Sequence, residues 1–269
     1  MDTSKLCVIL IPHYNNLSGL YRSLVSCSKS TIKPLCLVID DGSKEKIEVE
    51  ECKEIYSNIK VIELEKNYGI EHALNLGLKY LIDNNYKYAA RLDAGDTIDP
   101  CRLIKQIEFL NNNQDHVMVG SWVEYFNQEG VVEFSLSFPT EYLNIKKKMH
   151  LNSMFSHPSV MIRLRMLKHM ELYSNKYPCA EDYELFFRLM KKYPVANMPE
   201  FLTQMEVNTK SISYSKRTVQ LKSRLVVQLK YFDISNSLYS IYGLIRSLLL
   251  IICPFKWVKS LKNKINVKY

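Results

Sequence analysis

The sequence predicts an α/β fold: an open, mostly parallel doubly wound sheet followed by a C-terminal helical, membrane-associated tail. Three observations carry this. Short apolar runs alternate with amphipathic stretches up to about residue 110, several runs end in polar or acidic clusters, and residues 208–269 are basic and apolar. Strands that alternate with helices join by right-handed crossovers into a parallel sheet, which binds ligands at the carboxyl ends of its strands.

Leu6–Ile11 is an apolar strand that stops at Pro12. Leu17, Leu20, Tyr21, Leu24 and Ser28 then recur at the spacing of one helix face. Leu35–Ile39 is a second buried strand, broken at Asp40-Asp41-Gly42-Ser43, and Val61–Leu64 is a short third one. Ile70, Ala73, Leu74, Gly77, Leu78 and Leu81 draw the next helix, ahead of a strand over Tyr86–Leu92 that runs into Asp93-Ala-Gly-Asp96. A helix with Leu103, Ile104, Ile107 and Leu110 on one face follows, then strands near Val117–Trp122 and Val131–Leu136. Beyond about residue 140 the alternation is less regular. Phe155–Ile162 reads as a strand, and Ala180-Glu-Asp-Tyr183 opens a helix whose first turn holds Glu181 and Asp182, where the helix dipole favours negative charge.

The 269 residues suit one α/β domain over 1–207 and a tail over 208–269, and 47% hydrophobic with 24% charged residues excludes disordered and collagen-like classes. Seven cysteines without a C-x-x-C pair point to a reducing compartment rather than a disulfide framework or zinc knuckle. The N-terminus lacks the pattern of a secretory signal, and no 18 uninterrupted apolar residues occur, so membrane contact is expected to be peripheral. The net charge of +8 hides an asymmetry: residues 1–150 carry 17 Lys/Arg against 21 Asp/Glu, and the remainder 19 against 7. In residues 208–269 twelve Lys/Arg meet one acid, Asp233, around an apolar run from Leu238 to Trp257. Such a segment suits an anionic membrane interface; a buried C-terminal helix and a nucleic-acid patch are the competing readings. No G-x-G-x-x-G follows the first strand and no P-loop occurs, which disfavours dinucleotide dehydrogenases and P-loop NTPases.

Taken singly, Asp40–Ser43 reads as a turn, Asp93–Asp96 as a loop, Glu181-Asp182 as an acidic helix start and His157-Pro158 as a break at a strand edge. Taken in order, the segments Val8-Ile-Leu-Ile-Pro-His-Tyr-Asn15, Leu37-Val-Ile-Asp-Asp-Gly-Ser43, Asn67-Tyr-Gly69 with Ala73-Leu-Asn75, Arg91-Leu-Asp-Ala-Gly-Asp96, His157-Pro-Ser-Val-Met161 and Ala180-Glu-Asp-Tyr183 carry a resemblance. The chain resembles the inverting glycosyltransferases of family 2, with the GT-A fold, over about residues 6–206. The last two segments look most like bacterial enzymes that extend lipid-linked O-antigen or lipooligosaccharide chains.

The resemblance implies that Pro12, Tyr14 and Asp41 meet the uracil and ribose of a UDP-sugar, with Asp40 in support and Asn67, Gly69 and Arg91 in the same nucleotide-sugar site. Asp93 matches the first acid of the D-x-D motif, Asp182 the catalytic base, Glu181 a neighbour that positions the acceptor or orients Asp182, and His157 a residue of the acceptor or donor pocket. A divalent cation, Mn or Mg, is expected on Asp93 and Asp96. Two positions depart from the pattern: Gly95 stands where the family carries a metal-binding carboxylate, and Asn208 where it carries a histidine. Either the metal sits in a shifted geometry, or dependence on it is weakened, with Lys210 or another base sharing the diphosphate charge.

The expected activity is inverting transfer of a sugar, hexose favoured, from a UDP-sugar to a lipid-linked saccharide in bacterial surface polysaccharide or lipopolysaccharide synthesis. The expected location is the cytoplasmic face of the plasma membrane, held peripherally by the tail, without a nucleic-acid partner. A nucleotidyltransferase on a related sheet would release pyrophosphate instead. A basic nucleic-acid-binding protein would bind duplex in a salt-sensitive way without responding to nucleotide sugars.

Overall fold

A computed structural model describes residues 5–127, 129–207 and 216–252. Four strands, β1 (Cys7–His13), β2 (Leu35–Asp40), β3 (Ile59–Glu63) and β4 (Tyr88–Arg91), run parallel in the order β3-β2-β1-β4. Their crossovers contain α1 (Leu17–Ser28), α2 (Val49–Ile55) and α3 (Ile70–Asp83). Successive side chains of a strand point to opposite faces, and β1 feeds two cores. Val8 and Leu10 pack with Leu37, Ile39, Leu74 and Leu78, while Cys7, Ile9 and Ile11 pack with Leu20, Leu24, Cys36 and Val38. Burial on both faces explains why these strands read as unbroken apolar runs.

The second half adds β5 (Thr97–Ile98), α4 (Arg102–Asn112), β6 (Met118–Phe126), β7 (Val132–Leu136), α5 (Tyr142–Lys148), β8 (Met161–Arg163), α6 (Glu181–Met190) and β9 (Val195–Glu206). β8 lies antiparallel between β4 and β6, β9 is parallel to β6, and β5 and β7 are antiparallel to β9 and β6. Of the nine strands among the described residues, β1 to β4, β6 and β9 therefore point the same way. The sheet is mostly parallel, and the carboxyl ends of these six strands share one edge.

Phe155–Ile162 is not a continuous strand. His157–Ser159 forms a 3-10 turn, and only Met161–Arg163 joins the sheet. Pro158 has no N–H to give a ladder, and its fixed φ suits the first turn of a helix.

Beyond β9, helix α7 (Arg217–Lys230) packs on α8 (Ser237–Ile252). The carboxylate of Glu184 in α6 receives Arg188 Nη2 at 2.9 Å, Lys230 Nζ at 2.8 Å and Tyr231 Oη at 2.8 Å, which ties α7 to α6. Although no uninterrupted apolar run of 18 occurs, residues 234–252 reach a mean hydropathy of 1.3, long and apolar enough to cross a membrane by length and composition. Trp257 and the lysines around it lie outside the described residues.

Candidate active site

The shared edge begins with His13 and Asp40, paired in register at the ends of β1 and β2. The Asn16 amide donates to His13 Nε2 at 3.2 Å, so Nε2 is the acceptor and the proton sits on Nδ1, which donates to Asp40 Oδ1 at 2.8 Å. Ser43 adds its hydroxyl to the same oxygen at 2.5 Å and its amide to Oδ2 at 3.3 Å. Asp40 is thus buried and holds the β1 and β2 loops together. Asp41, also buried, accepts from the Tyr68 amide at 2.8 Å and the Gly69 amide at 2.9 Å, which pins the Asn67–Gly69 loop beside it. Pro12 is buried, whereas Tyr14, Asn67 and Tyr68 are exposed around this pair of acids. Asp40–Ser43 is therefore both a turn and the tie that holds three loops together.

At the end of β4, Arg91 is buried, and its Nη2 reaches Asp93 Oδ1 at 2.5 Å. Beneath it Arg102, also buried, donates from Nη2 to the Arg91 carbonyl at 3.0 Å and from Nε to Gln106 at 3.1 Å. Burial pulls the Arg102 guanidinium down to about 10. Ser23 of α1 shapes the following loop by donating to the Asp96 carbonyl at 2.8 Å and accepting from the Gly95 amide at 2.9 Å.

α6 brings Glu181 and Asp182 to the same place. Asp182 feels the positive charge of Arg91 and the negative charge of Asp93, and Glu181 feels Arg91 as well. Burial pushes Asp182 up to about 6 against the pull of the Tyr183 amide and Arg91. Burial, followed by repulsion from Asp182, pushes Glu181 up to about 8. Burial thus raises both adjacent carboxyl groups, and Asp182 in turn raises Glu181 further. Glu181 Oε2 is buried without a hydrogen-bond partner, whereas Asp182 remains partly exposed.

His157 Nε2 lies 2.7 Å from the Tyr173 hydroxyl. Burial, then the charge of Arg91, lowers His157 well below its ordinary value, so it acts as a neutral hydrogen-bonding ring. Asn75 holds the Tyr173 backbone at both N–H and C=O, each at 2.8 Å. Sequence reasoning missed Tyr173, Ser23 and Glu206. Their partners lie far along the chain, and no periodic pattern marks them. Asn75, in the segment Ala73-Leu-Asn75, is the signal in the sequence that points to Tyr173.

Of the two residues expected to hold a divalent cation, Asp93 is paired with Arg91 and Asp96 turns inward. Gly95 has φ +114°, and a Cβ built there would lie 3.4 Å from Glu206 Oε2. That oxygen is 2.9 Å from Arg22 Nη1, so an ion pair from β9 and α1 occupies the space beside Gly95. Asp96 accepts the Glu206 amide at 3.2 Å on Oδ1, its Oδ2 is buried without a partner, and burial and Asp93 raise it well above the carboxylate range. An Asp96 whose carboxylate faces inward is a poor ligand for Mn or Mg. Among the described residues no three His, Cys, Asp or Glu side chains form a metal-binding group, and Asn208 and Lys210 lie outside them.

The raised Glu181 gives a stability prediction. Its folded value exceeds the ordinary 4.5, so the folded chain keeps a proton that the unfolded chain releases. Stability from this group is complete below about 4.5 and is lost as pH rises through about 8. Glu181→Gln should therefore melt higher than wild type at pH 9 by several degrees, with the difference closing at pH 4, as read by thermal denaturation. An equal difference at both pH values would contradict the placement of Glu181.

Known proteins resemble this chain in sequence and in fold. The model of the family described as "Glycosyl transferase family 2" matches residues 8–170. The UDP-Gal:alpha-D-GlcNAc-diphosphoundecaprenol beta-1,3-galactosyltransferase of Escherichia coli is 30% identical over 196 residues, covering 70% of this chain and 68% of that protein. Among solved structures, S. aureus TarS 1-349 in complex with UDP-GlcNAc superposes with a TM-score of 0.66 at 18% identity, over 90% of this chain and 71% of that one. A mannosyltransferase from Pyrobaculum calidifontis, in complex with GDP-Man and Mn2+, gives a TM-score of 0.66 at 12% identity, over 97% and 79%.

Proposed function

The chain belongs to glycosyl transferase family 2, and from that premise we propose that it moves a hexose from a UDP-sugar to a lipid-linked saccharide, with inversion, in bacterial surface polysaccharide or lipopolysaccharide synthesis. The observation that carries the reading is the arrival of Asp182, on the first turn of α6, within the electrostatic reach of Arg91 and Asp93 at the end of β4. In this reading a base on one element faces the loops that other elements bring to the same edge of the sheet. The names of the E. coli relative and of the TarS complex support a UDP-linked donor, and the former supports an undecaprenol-linked acceptor.

In this reading Asp40 and Asp41 keep the β1, β2 and Asn67–Gly69 loops in place as the walls for uracil and ribose, with Tyr14 exposed at the rim. Arg91 fixes Asp93 beneath the donor. The acceptor hydroxyl oxygen forms the new bond to the anomeric carbon, its proton passes to the Asp182 carboxylate, and the bond from that carbon to the UDP oxygen breaks with its electron pair on UDP. Glu181, whose proton burial helps to retain, donates a hydrogen bond to the acceptor or donor sugar, and neutral His157, set by Tyr173, lines the same pocket. The enzyme works on the inner face of the plasma membrane, held there peripherally.

The test is transfer from a panel of UDP- and GDP-linked sugars to undecaprenol-diphosphate-linked saccharides, read as nucleotide release and product mass. UDP-galactose or UDP-glucose is expected to support the highest rate. Preference for UDP-N-acetylhexosamines would change the sugar assignment, and turnover restricted to GDP-sugars would contradict the donor class.

A further inference from the structure

We infer that the outer face of α8 is a docking surface for an anionic lipid bilayer, on which the helix lies flat instead of crossing. Its apolar pattern is turned outward. Leu238, Ile241, Tyr242, Ile245, Leu249 and Ile252 recur at helical spacing, fall within an arc of about 100°, and are all exposed. Ser240, Gly243 and Ser247 occupy the opposite side and are the buried positions of the helix. A helix serving only as a cover for the domain would present these two sets the other way round.

The inward side is held by specific polar contacts. A Cβ at Gly243 would collide with the His150 carbonyl oxygen, so glycine is what lets the helix approach this closely. Ser240 Oγ lies 3.2 Å from His150 Nδ1, Ser247 Oγ donates to Gln228 at 2.7 Å, and Arg246 Nη1 donates to the Leu151 carbonyl at 2.9 Å. Crossing a bilayer would require breaking all of these and exposing their partners to hydrocarbon. Lying in the interface breaks none.

Charge selects the occupant. Residues 208–269 carry twelve Lys/Arg against Asp233 alone, and five of those lysines follow α8 in sequence. A second copy of the chain would bring a segment of the same positive charge to the contact, whereas anionic headgroups neutralise such a segment. Glu184 links α7 to α6, so the hairpin of α7 and α8 is fastened to the helix that bears Asp182. A docked α8 would thereby fix the height of the candidate site above the bilayer. The inference deepens the reading of a lipid-linked acceptor and rests on it for its purpose, while vesicle binding is measured without turnover.

The experiment uses the full chain and its I241E/I245E/L249E variant, sedimented with vesicles of phosphatidylglycerol and phosphatidylcholine or of phosphatidylcholine alone. Wild type is expected to bind the anionic vesicles, to weaken in high salt, and to be released by alkaline carbonate. The variant should bind at least about tenfold more weakly, with an unchanged melting temperature because all three side chains are exposed, and with unchanged transfer to a water-soluble acceptor. Wild-type affinity in the variant overturns the inference, as does carbonate-resistant insertion. A solution dimer that the variant turns into monomer assigns the face to a second copy and overturns it too, as does a preference for duplex DNA over the vesicles. Absence of turnover on every donor would count against the glycosyltransferase reading alone, because sedimentation judges docking separately.

Discussion

Replacing Asp182 with asparagine is expected to lower kcat by about 10²–10⁴-fold, the range of a positioned general base, while KM for the UDP-sugar changes little. The amide keeps the size of the carboxylate and can still accept from the Tyr183 amide, as Oδ1 does at 2.7 Å in the wild type. Folding should be preserved, and circular dichroism and melting would verify this. The wild-type rate should also fall on the acid side near pH 6, where Asp182 takes up its proton. A variant with near wild-type turnover would remove Asp182 from the role of base and move attention to Glu181 or Asp93.

Arg91→Met should be the most damaging change at the end of β4, because one guanidinium is shared among several acids. It binds Asp93 directly and exerts its charge on Glu181, Asp182 and Asp96. Losing one partner of a wholly buried ion pair costs about 3–5 kcal/mol. Asp93 is 38% exposed and regains water, so a cost of about 1–3 kcal/mol is expected here. Activity should fall more steeply than stability, and the acid limb of the residual pH–rate profile should move to higher pH, since Arg91 holds Asp182 down. Reduced activity with an unmoved acid limb would mean that Arg91 only shapes the loop. Arg91→Lys should recover part of the pH shift and less of the activity, because an ammonium lacks the planar fork.

The parts of this molecule legible in the sequence are those governed by local period. Val8 to Ile11, Leu35 to Ile39 and the face Ala73, Leu74, Leu78 announce their elements because burial dictates each residue by its spacing. β9 was not legible: Pro199 interrupts its apolar pattern, and its pairing with β6 shifts register between Ser121 and Val123. The short helices α2 and α5 bury one residue each, Cys52 and Ile145, too few to mark a face.

The site divides in the same way. Asp40, Asp41, Asp93 and Asp182 stand at strand or helix ends, where sequence order alone can group them. Tyr173 beside His157, and Glu206 beside Gly95, depend on contacts between distant segments and have no local signature. In α8 the pattern is visible but its direction is not, since periodicity defines a stripe without saying whether protein or lipid covers it. Small residues on the opposite side show which side meets the protein, by letting Gly243 approach the His150 carbonyl.

The most direct test of the central claim, that one carboxylate on α6 activates the acceptor opposite the departing UDP, is the anomeric configuration of the product. Proton NMR of the newly formed glycosidic linkage, made from the best donor in the panel, reads it without further assumption. A β linkage from an α-linked UDP-hexose is expected, formed by wild type and lost with Asp182→Asn. A product that retains the donor's α configuration would contradict it, because retention requires a reaction course that a single base at Asp182 does not provide.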